Sequence, residues 1–228
     1  MNDYVIAEPT RPTLPVKGSK SVFPVRRVYC IGRNYAEHAR EMGHDPDRDP
    51  PFFFQKNADN IITNGRFKYP VMTEDVHHEV EMIVGLKSGG KSISVADANN
   101  HVFGYGIGFD MTRRDLQQQA KNMGRPWEVG KAFEQSAPCG ELIPIEKTGV
   151  IDKGSIKLSV NGDIRQDSDL AAMIWSVPEM ISILSEYFEL AAGDLIMSGT
   201  PAGVNSVMPG DKMTGFIEGL GELTIFVD

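Results

Sequence analysis

The 228 residues include 23 Lys and Arg against 31 Asp and Glu, a formal charge of −8, with 41% hydrophobic and 24% charged side chains. These are the proportions of a globular domain able to bury a sizeable core, and the acidic balance argues against nucleic acid or an anionic membrane as the main partner. Cys30 and Cys139 have neither disulfide nor ligand spacing, which fits a reducing cytoplasm, and no stretch has the length of a signal-peptide core or a bilayer span.

In chain order, positions 1–25, punctuated by Pro9, Pro12 and Pro15, read as an extended arm ahead of a single domain over 26–228. Val28-Tyr29-Cys30-Ile31 reads as a short buried strand ending at Gly32. Positions 34–42 have helix-forming composition, with Asn34 as the N-cap. On that helix His38 and Glu41 are three apart and share a face, within reach of an imidazole–carboxylate hydrogen bond. The polar, proline-rich stretch 43–51 predicts a mobile loop that carries the helix as a lid. Phe52-Phe53-Phe54 marks a buried strand, and 69–72 another.

Glu79, Glu81 and Ile83 alternate with Val80, Met82 and Val84. That is the period of a strand, so the two carboxylates project from one face, where they repel unless a cation or a shared proton compensates them. The run Val102–Phe109 reads as a second strand that delivers Asp110 at its end. Three carboxylates with no thiol nearby suit a hard, oxygen-loving ion, Mg²⁺ or Mn²⁺, with positions left for water or substrate. A bare Glu-x-Glu is more often a solvated strand face; the Val, Ile and Met around this one, and the His77-His78 before it, bring the metal reading level with that. The two histidines read as supports or strand residues, because imidazole ligation favours zinc.

Positions 112–123 read as a helix opened by a capping-box-like Thr112-Arg113-Arg114-Asp115. Asp110, Arg114 and Gln117 fall along one line at its N-terminus, a landing place for a carboxylate substrate. Asn161-Gly162 joins 156–160 and 163–166 as a hairpin. Ser176-Val177-Pro178-Glu179 opens a second helix, whose Met180, Ile181, Leu184, Tyr187 and Phe188 recur at core-packing spacing. Alternating strands close the chain around 194–198, 212–218 and 222–227. The fold class is α+β, β-rich, with a few helices.

Four motifs coincide in Gly32-Arg33-Asn34-Tyr35-Ala36-Glu37-His38, His77-His78-Glu79-Val80-Glu81, Asp110-Met111-Thr112-Arg113-Arg114-Asp115-Leu116-Gln117 and Ser198-Gly199-Thr200-Pro201-Ala202-Gly203-Val204. In this order they resemble the fumarylacetoacetate hydrolase family over most of the chain from Val28 onward. Positions 39–48, followed by Pro51-Phe52-Phe53-Phe54, are most similar to that family's bacterial fumarylpyruvate hydrolases, which act at the end of gentisate-type aromatic degradation. The resemblance implies a mixed, rolled β-sheet domain, usually a homodimer, with Mg²⁺ or Mn²⁺. Carried over by position, Glu79, Glu81 and Asp110 match the metal ligands. His38 and Glu41 match a water-activating pair on a lid, and Arg114, Gln117, Lys131 and Thr200 match residues around the substrate. One departure is Gln55-Lys56-Asn57, where relatives usually carry Lys-Pro, which leaves the role of Lys56 open.

The implied reaction is hydrolysis of a 2,4-dioxo acid, best matched by fumarylpyruvate, to fumarate and pyruvate. His38, polarised by Glu41, would take the proton of water, and Lys131 would hold charge on the enolate or protonate it. Each role has a plain alternative: a packing histidine, a lysine at a loop end, and for Thr200 a turn hydroxyl before Pro201. The competing functions are oxaloacetate decarboxylation or keto–enol isomerisation at the same site, and a non-enzymatic, metal-stabilised binding domain. The cation for a distal carboxylate stays open among Arg33, Arg113, Arg114 and Arg125.

Overall fold

The run Val80–Leu86 is apolar on both sides apart from Glu81, and such a strand needs cover on both faces. In the computed structural model, which describes residues 4–41 and 51–228, it lies inside a six-stranded mixed sheet. The strand order is Ile143–Pro144, Val102–Phe109, Val80–Leu86, Asp194–Met197, Arg27–Gly32 and Phe52–Lys56. Only the pairing of Asp194–Met197 with Arg27–Gly32 is parallel. A second, five-stranded sheet runs Asp163–Asp169, Ser155–Val160, Lys212–Ile217, Gly221–Val227 and Arg66–Phe67. Val80, Met82 and Val84 from the first sheet share one buried cluster with Ile156, Leu158 and Met213 from the second. The opposite face of the first sheet, carrying Ile83, packs on a smaller cluster with Leu14, Phe23, Val25 and Leu142. Leu14 and Phe23 face each other across the antiparallel strands Thr13–Pro15 and Val22–Pro24, so the arm region holds a packed hairpin. The chain is thus α+β and strand-rich, as its sequence pattern predicts.

The hairpin at Asn161-Gly162 forms between Ser155–Val160 and Asp163–Asp169, with both turn residues at positive φ, 53° and 94°. The helix Val177–Tyr187 opens on a capping box, in which the Glu179 carboxylate accepts from the Ser176 backbone at 2.8 Å and from its hydroxyl at 2.6 Å. Its core face is Val177, Met180, Ile181 and Leu184, whereas Tyr187 is exposed.

Other expectations need correction. Positions 69–72 are not a strand: Pro70 has no N–H to donate, and Met72 turns the chain at φ 64°. The helix expected from 112 is Arg114–Asn122, and Thr112–Arg113 instead pairs with Val76–His77. No capping box forms there, because the Thr112 hydroxyl donates to the Asp110 carbonyl and Asp115 accepts from Thr73 and Glu74. Phe52, Phe53 and Phe54 are half-buried, since their strand is an edge of the sheet. The loop expected over 43–51 lies, but for Pro51, outside the described residues, as does the side chain of Glu41.

Asn34 stands two residues ahead of the helix Ala36–Glu41. Buried, its amide ties that segment to two others: Nδ2 donates to the carbonyls of Trp175 (3.0 Å) and Ser198 (2.8 Å), and Oδ1 accepts from the Trp175 N–H (2.7 Å). Removing the side chain orphans buried backbone groups at about 1–3 kcal/mol each. Asn34→Ala is therefore expected to cost about 2–4 kcal/mol, read as a Tm lower by about 4–16 °C in thermal melts.

Candidate functional site

Val80 pairs with Phe109 in the antiparallel ladder, so the residues just outside that pair, Glu79 and Asp110, meet across it. The Asp110 N–H donates to the Glu79 carbonyl at 2.9 Å. Period two then sets Glu81 beside Glu79. Glu79, Glu81 and Asp110 are all buried, and one carboxylate oxygen of each lies within 4.8 Å of the others.

Cations arrive from three directions. Lys131 Nζ donates to Glu79 Oε2 at 2.8 Å and to Asp110 Oδ2 at 2.7 Å. It comes from the short helix Glu128–Lys131, which can press against Arg114–Asn122 because residue 130 is glycine; a Cβ there would stand 2.9 Å from the Gln117 nitrogen. Arg114 donates through Nη2 to Glu79 at 2.6 Å and through Nη1 to Gln117 at 2.8 Å. Lys56 Nζ, buried, lies 2.8 Å from Asp110 Oδ1 and donates to the carbonyls of Met111 and Lys131. The departure at Asn57 adds a donor that proline would lack: the Asn57 N–H donates to Asn60 Oδ1 at 2.9 Å.

These contacts separate the two glutamates. Burial pushes Glu79 up, but Lys131 and Arg114 together outweigh it and hold the carboxylate below its usual range. Burial followed by Asp110 and Glu79 pushes Glu81 well above that range, opposed by the Gly199 N–H that donates to Oε2 at 2.8 Å and more weakly by Lys131. Gly199 sits at φ 92°, and a Cβ on it would collide with Asn34 at 2.7 Å, so this donor approaches only as glycine. Among the described residues Glu81 has no cation within ion-pair distance. Asp110 Oδ1, though close to Lys56, has no hydrogen bond. Buried oxygen acceptors with unmet demand and no thiolate or imidazole among them fit a hard divalent cation such as Mg²⁺ or Mn²⁺.

The same small cavity is lined by His38, Arg33, Gln117, Lys121, Trp127, Phe54 and Thr200. His38 is buried on the helix Ala36–Glu41, close enough that its protonated form adds to the lowering of Glu79 after Lys131 and Arg114. The Thr200 hydroxyl is engaged, donating to the Val80 carbonyl and accepting from Gln166, each at 2.8 Å. The two histidines support neighbours. Burial and then Arg114 keep His77 low, and its Nδ1 accepts from Arg114 Nε at 3.2 Å. Burial lowers His78 to about 4, and its Nδ1 faces Gln166 Oε1 at 3.1 Å.

A family model described as fumarylacetoacetate (FAA) hydrolase C-terminal matches residues 27–227. The chain belongs to the fumarylacetoacetate hydrolase family. Within it, a fumarylpyruvate hydrolase from Ralstonia is 39% identical over 189 residues, 82% of this chain and 98% of the relative. The human mitochondrial oxaloacetate tautomerase FAHD1 is 35% identical over 203 residues, 89% of this chain and 92% of the relative. The crystal structure of fumarylpyruvate hydrolase from Pseudomonas aeruginosa in complex with Mn²⁺ and pyruvate superposes with a TM-score of 0.97 at 49% identity, covering 99% of each chain.

The fold thus gathers Glu79, Glu81, Asp110, His38, Lys131, Arg114, Gln117 and Thr200 around one cavity of this family domain. Lys56, Gln166 and Lys121 were not assigned from sequence. Nothing in the local pattern marks the first two, whereas Lys121 shares the helical face of Arg114 and Gln117, seven and four residues away.

The opposite shifts predict opposite effects in chelator-treated protein. Glu79, depressed, contributes stability above its unfolded value of about 4.3 that is lost as pH falls. Glu79→Gln should destabilise at pH 7 by about 3–5 kcal/mol by taking the carboxylate partner from Arg114 and one of two from Lys131, less so below about pH 4. Glu81, raised, costs stability once pH exceeds its unfolded value, so Glu81→Gln should leave the metal-free Tm unchanged or higher. Both variants should bind Mn²⁺ at least about tenfold more weakly by calorimetry.

Proposed function

We propose that this protein hydrolyses a carbon–carbon bond of a 2,4-dioxo acid, best matched by fumarylpyruvate, giving fumarate and pyruvate at the end of an aromatic degradation route. What carries the reading is the buried His38 in one cavity with three carboxylates and Lys131, which is a base beside a site for a chelating keto acid. The Pseudomonas aeruginosa relative, bound to Mn²⁺ and pyruvate, supports it. Glu79, Glu81 and Asp110 would hold Mg²⁺ or Mn²⁺, which supplies Lewis-acid stabilisation of negative charge on the keto acid. We further propose a cytoplasmic homodimer.

His38 takes a proton from water as the oxygen attacks the ketone on the acyl side. Glu41, three residues along the helix, would orient the imidazole. The carbonyl re-forms as the C–C bond breaks, and the bonding pair passes to the pyruvate half as an enolate. Burial pulls Lys131 down, but Asp110 and Glu79 raise it further, so it remains an ammonium suited to holding that charge. The proton gained by His38 returns to the enolate carbon, and the balance closes. Arg114 and Gln117, hydrogen-bonded to each other, present donors to the pyruvate carboxylate, and Thr200 closes the wall beside Val80.

A second reading, keto–enol isomerisation or decarboxylation of oxaloacetate, is supported by the 35% identity to the human tautomerase. Neither reaction needs an attacking water. His38→Ala should therefore lower kcat for acylpyruvate hydrolysis by about 10²–10⁴-fold while Mn²⁺ and oxalate binding persist. A panel of acylpyruvates and oxaloacetate, followed in the ultraviolet, tests both readings. Turnover of oxaloacetate alone would favour the second, and loss of oxalate binding in His38→Ala would refute the role given to His38.

A further inference from the structure

Two of the four arginines open as partners for a distal carboxylate are engaged elsewhere. Arg114 holds Glu79 and Gln117. Arg113 stacks 4.4 Å from the Phe133 ring, and its Nη1 donates to the Val129 carbonyl at 3.4 Å. Arg125 is exposed and lines only an adjoining cavity of about 400 Å³.

Arg33 lines the cavity of the three carboxylates, over Phe52, and so does Lys121. Lys121 is half-buried, and its Nζ stands 5.0 Å from the centre of the Trp127 ring. Among the described residues it has no carboxylate within ion-pair distance and no hydrogen bond. Burial, then Arg114, Arg33 and Lys131, lower its ammonium to about 8, and Glu79 offsets them only in part. Trp127 is one corner of an aromatic triangle, 4.8 Å from Phe52 and 5.9 Å from Phe54, which are 6.2 Å apart. Each ring carries a cation: Lys121 on Trp127, Lys131 on Phe54 at 5.0 Å and Arg33 on Phe52 at 5.7 Å. Phe54, Trp127 and Lys131 line both cavities, so this cluster is the wall where they meet. Glu128 lines the adjoining cavity only.

We propose that Lys121 and the aromatic triangle form the subsite for the far end of the substrate: a flat, unsaturated acyl chain lies against Trp127 and Phe54, and its terminal carboxylate pairs with the Lys121 ammonium. The subsite rests on the acylpyruvate reading above and names the acyl group, a short unsaturated dicarboxylic one. Flat π-systems and apolar rings attract by stacking, and the carboxylate meets a half-buried cation that lines the cavity.

Lys121→Met keeps the apolar stem over Trp127 and removes the charge. It should lower kcat/KM for fumarylpyruvate by about 10–100-fold, chiefly through KM, and roughly tenfold less for acetylpyruvate, which has no distal carboxylate. Lys121→Arg should restore most of the loss. Equal losses on the two substrates, or none, would overturn the subsite. A binding arm separates this from the reaction itself: calorimetry of fumarate with protein holding Mn²⁺ and saturating oxalate. Should the wild type cleave no acylpyruvate, the hydrolase reading falls, yet fumarate binding weakened by Lys121→Met and not by Arg125→Met still upholds the subsite. No fumarate binding to wild type, equal binding to wild type and Lys121→Met, or a loss confined to Arg125→Met, overturns it.

Discussion

Three carboxylates within one buried pocket are a charge problem before they are a binding site. Two ionised groups that close, taken from water, are tolerated only with cations or protons to match. The architecture around them reads as an answer to that demand. The helix Arg114–Asn122 brings Arg114 to Glu79, the short helix Glu128–Lys131 brings Lys131 between Glu79 and Asp110, and the edge strand Phe52–Lys56 brings Lys56 to Asp110. The glycine at 130 and the hydrogen bonds of Lys56 to the carbonyls of Met111 and Lys131 position these cations.

The compensation is uneven, and the unevenness is what makes the pocket receptive. Glu79 and Asp110 are paired, while Glu81 has one backbone N–H and like-charged neighbours. A divalent cation removes that repulsion, so its binding free energy is also stability of the native state. The site and the fold are therefore coupled through one residue. The aromatic wall on the other side does different work: it sets the rings of Trp127 and Phe54 against Lys121 and Lys131.

Much of this was legible in the chain. Period two through 79–84 set the glutamates on one face, and the strand Val102–Phe109 ends where its apolar run ends. The capping box at Ser176 and the Asn161-Gly162 turn formed because their determinants lie within four residues. The misreadings had non-local causes. Thr112 had the composition of a helix cap, but pairing with His77 held it in a strand. The Asn34 amide donates to the carbonyls of Trp175 and Ser198, more than 140 residues away, which no local pattern announces. Phe52-Phe53-Phe54 looked like a core strand, and only its place at the sheet edge leaves it half-open beside the cavity.

The sequence by itself determined the strand periods, the local turns and caps, and the acidic residues able to hold a hard cation, because backbone geometry repeats every few residues and donor chemistry belongs to the side chain. Tertiary structure alone decided which cation meets which carboxylate. Lys56, Lys131 and Arg114 converge from segments separated by up to 75 residues, and the split between a lowered Glu79 and a raised Glu81 follows from those distances. Charge compensation depends on separation in space and on the exclusion of water, neither of which is a property of any one stretch of chain.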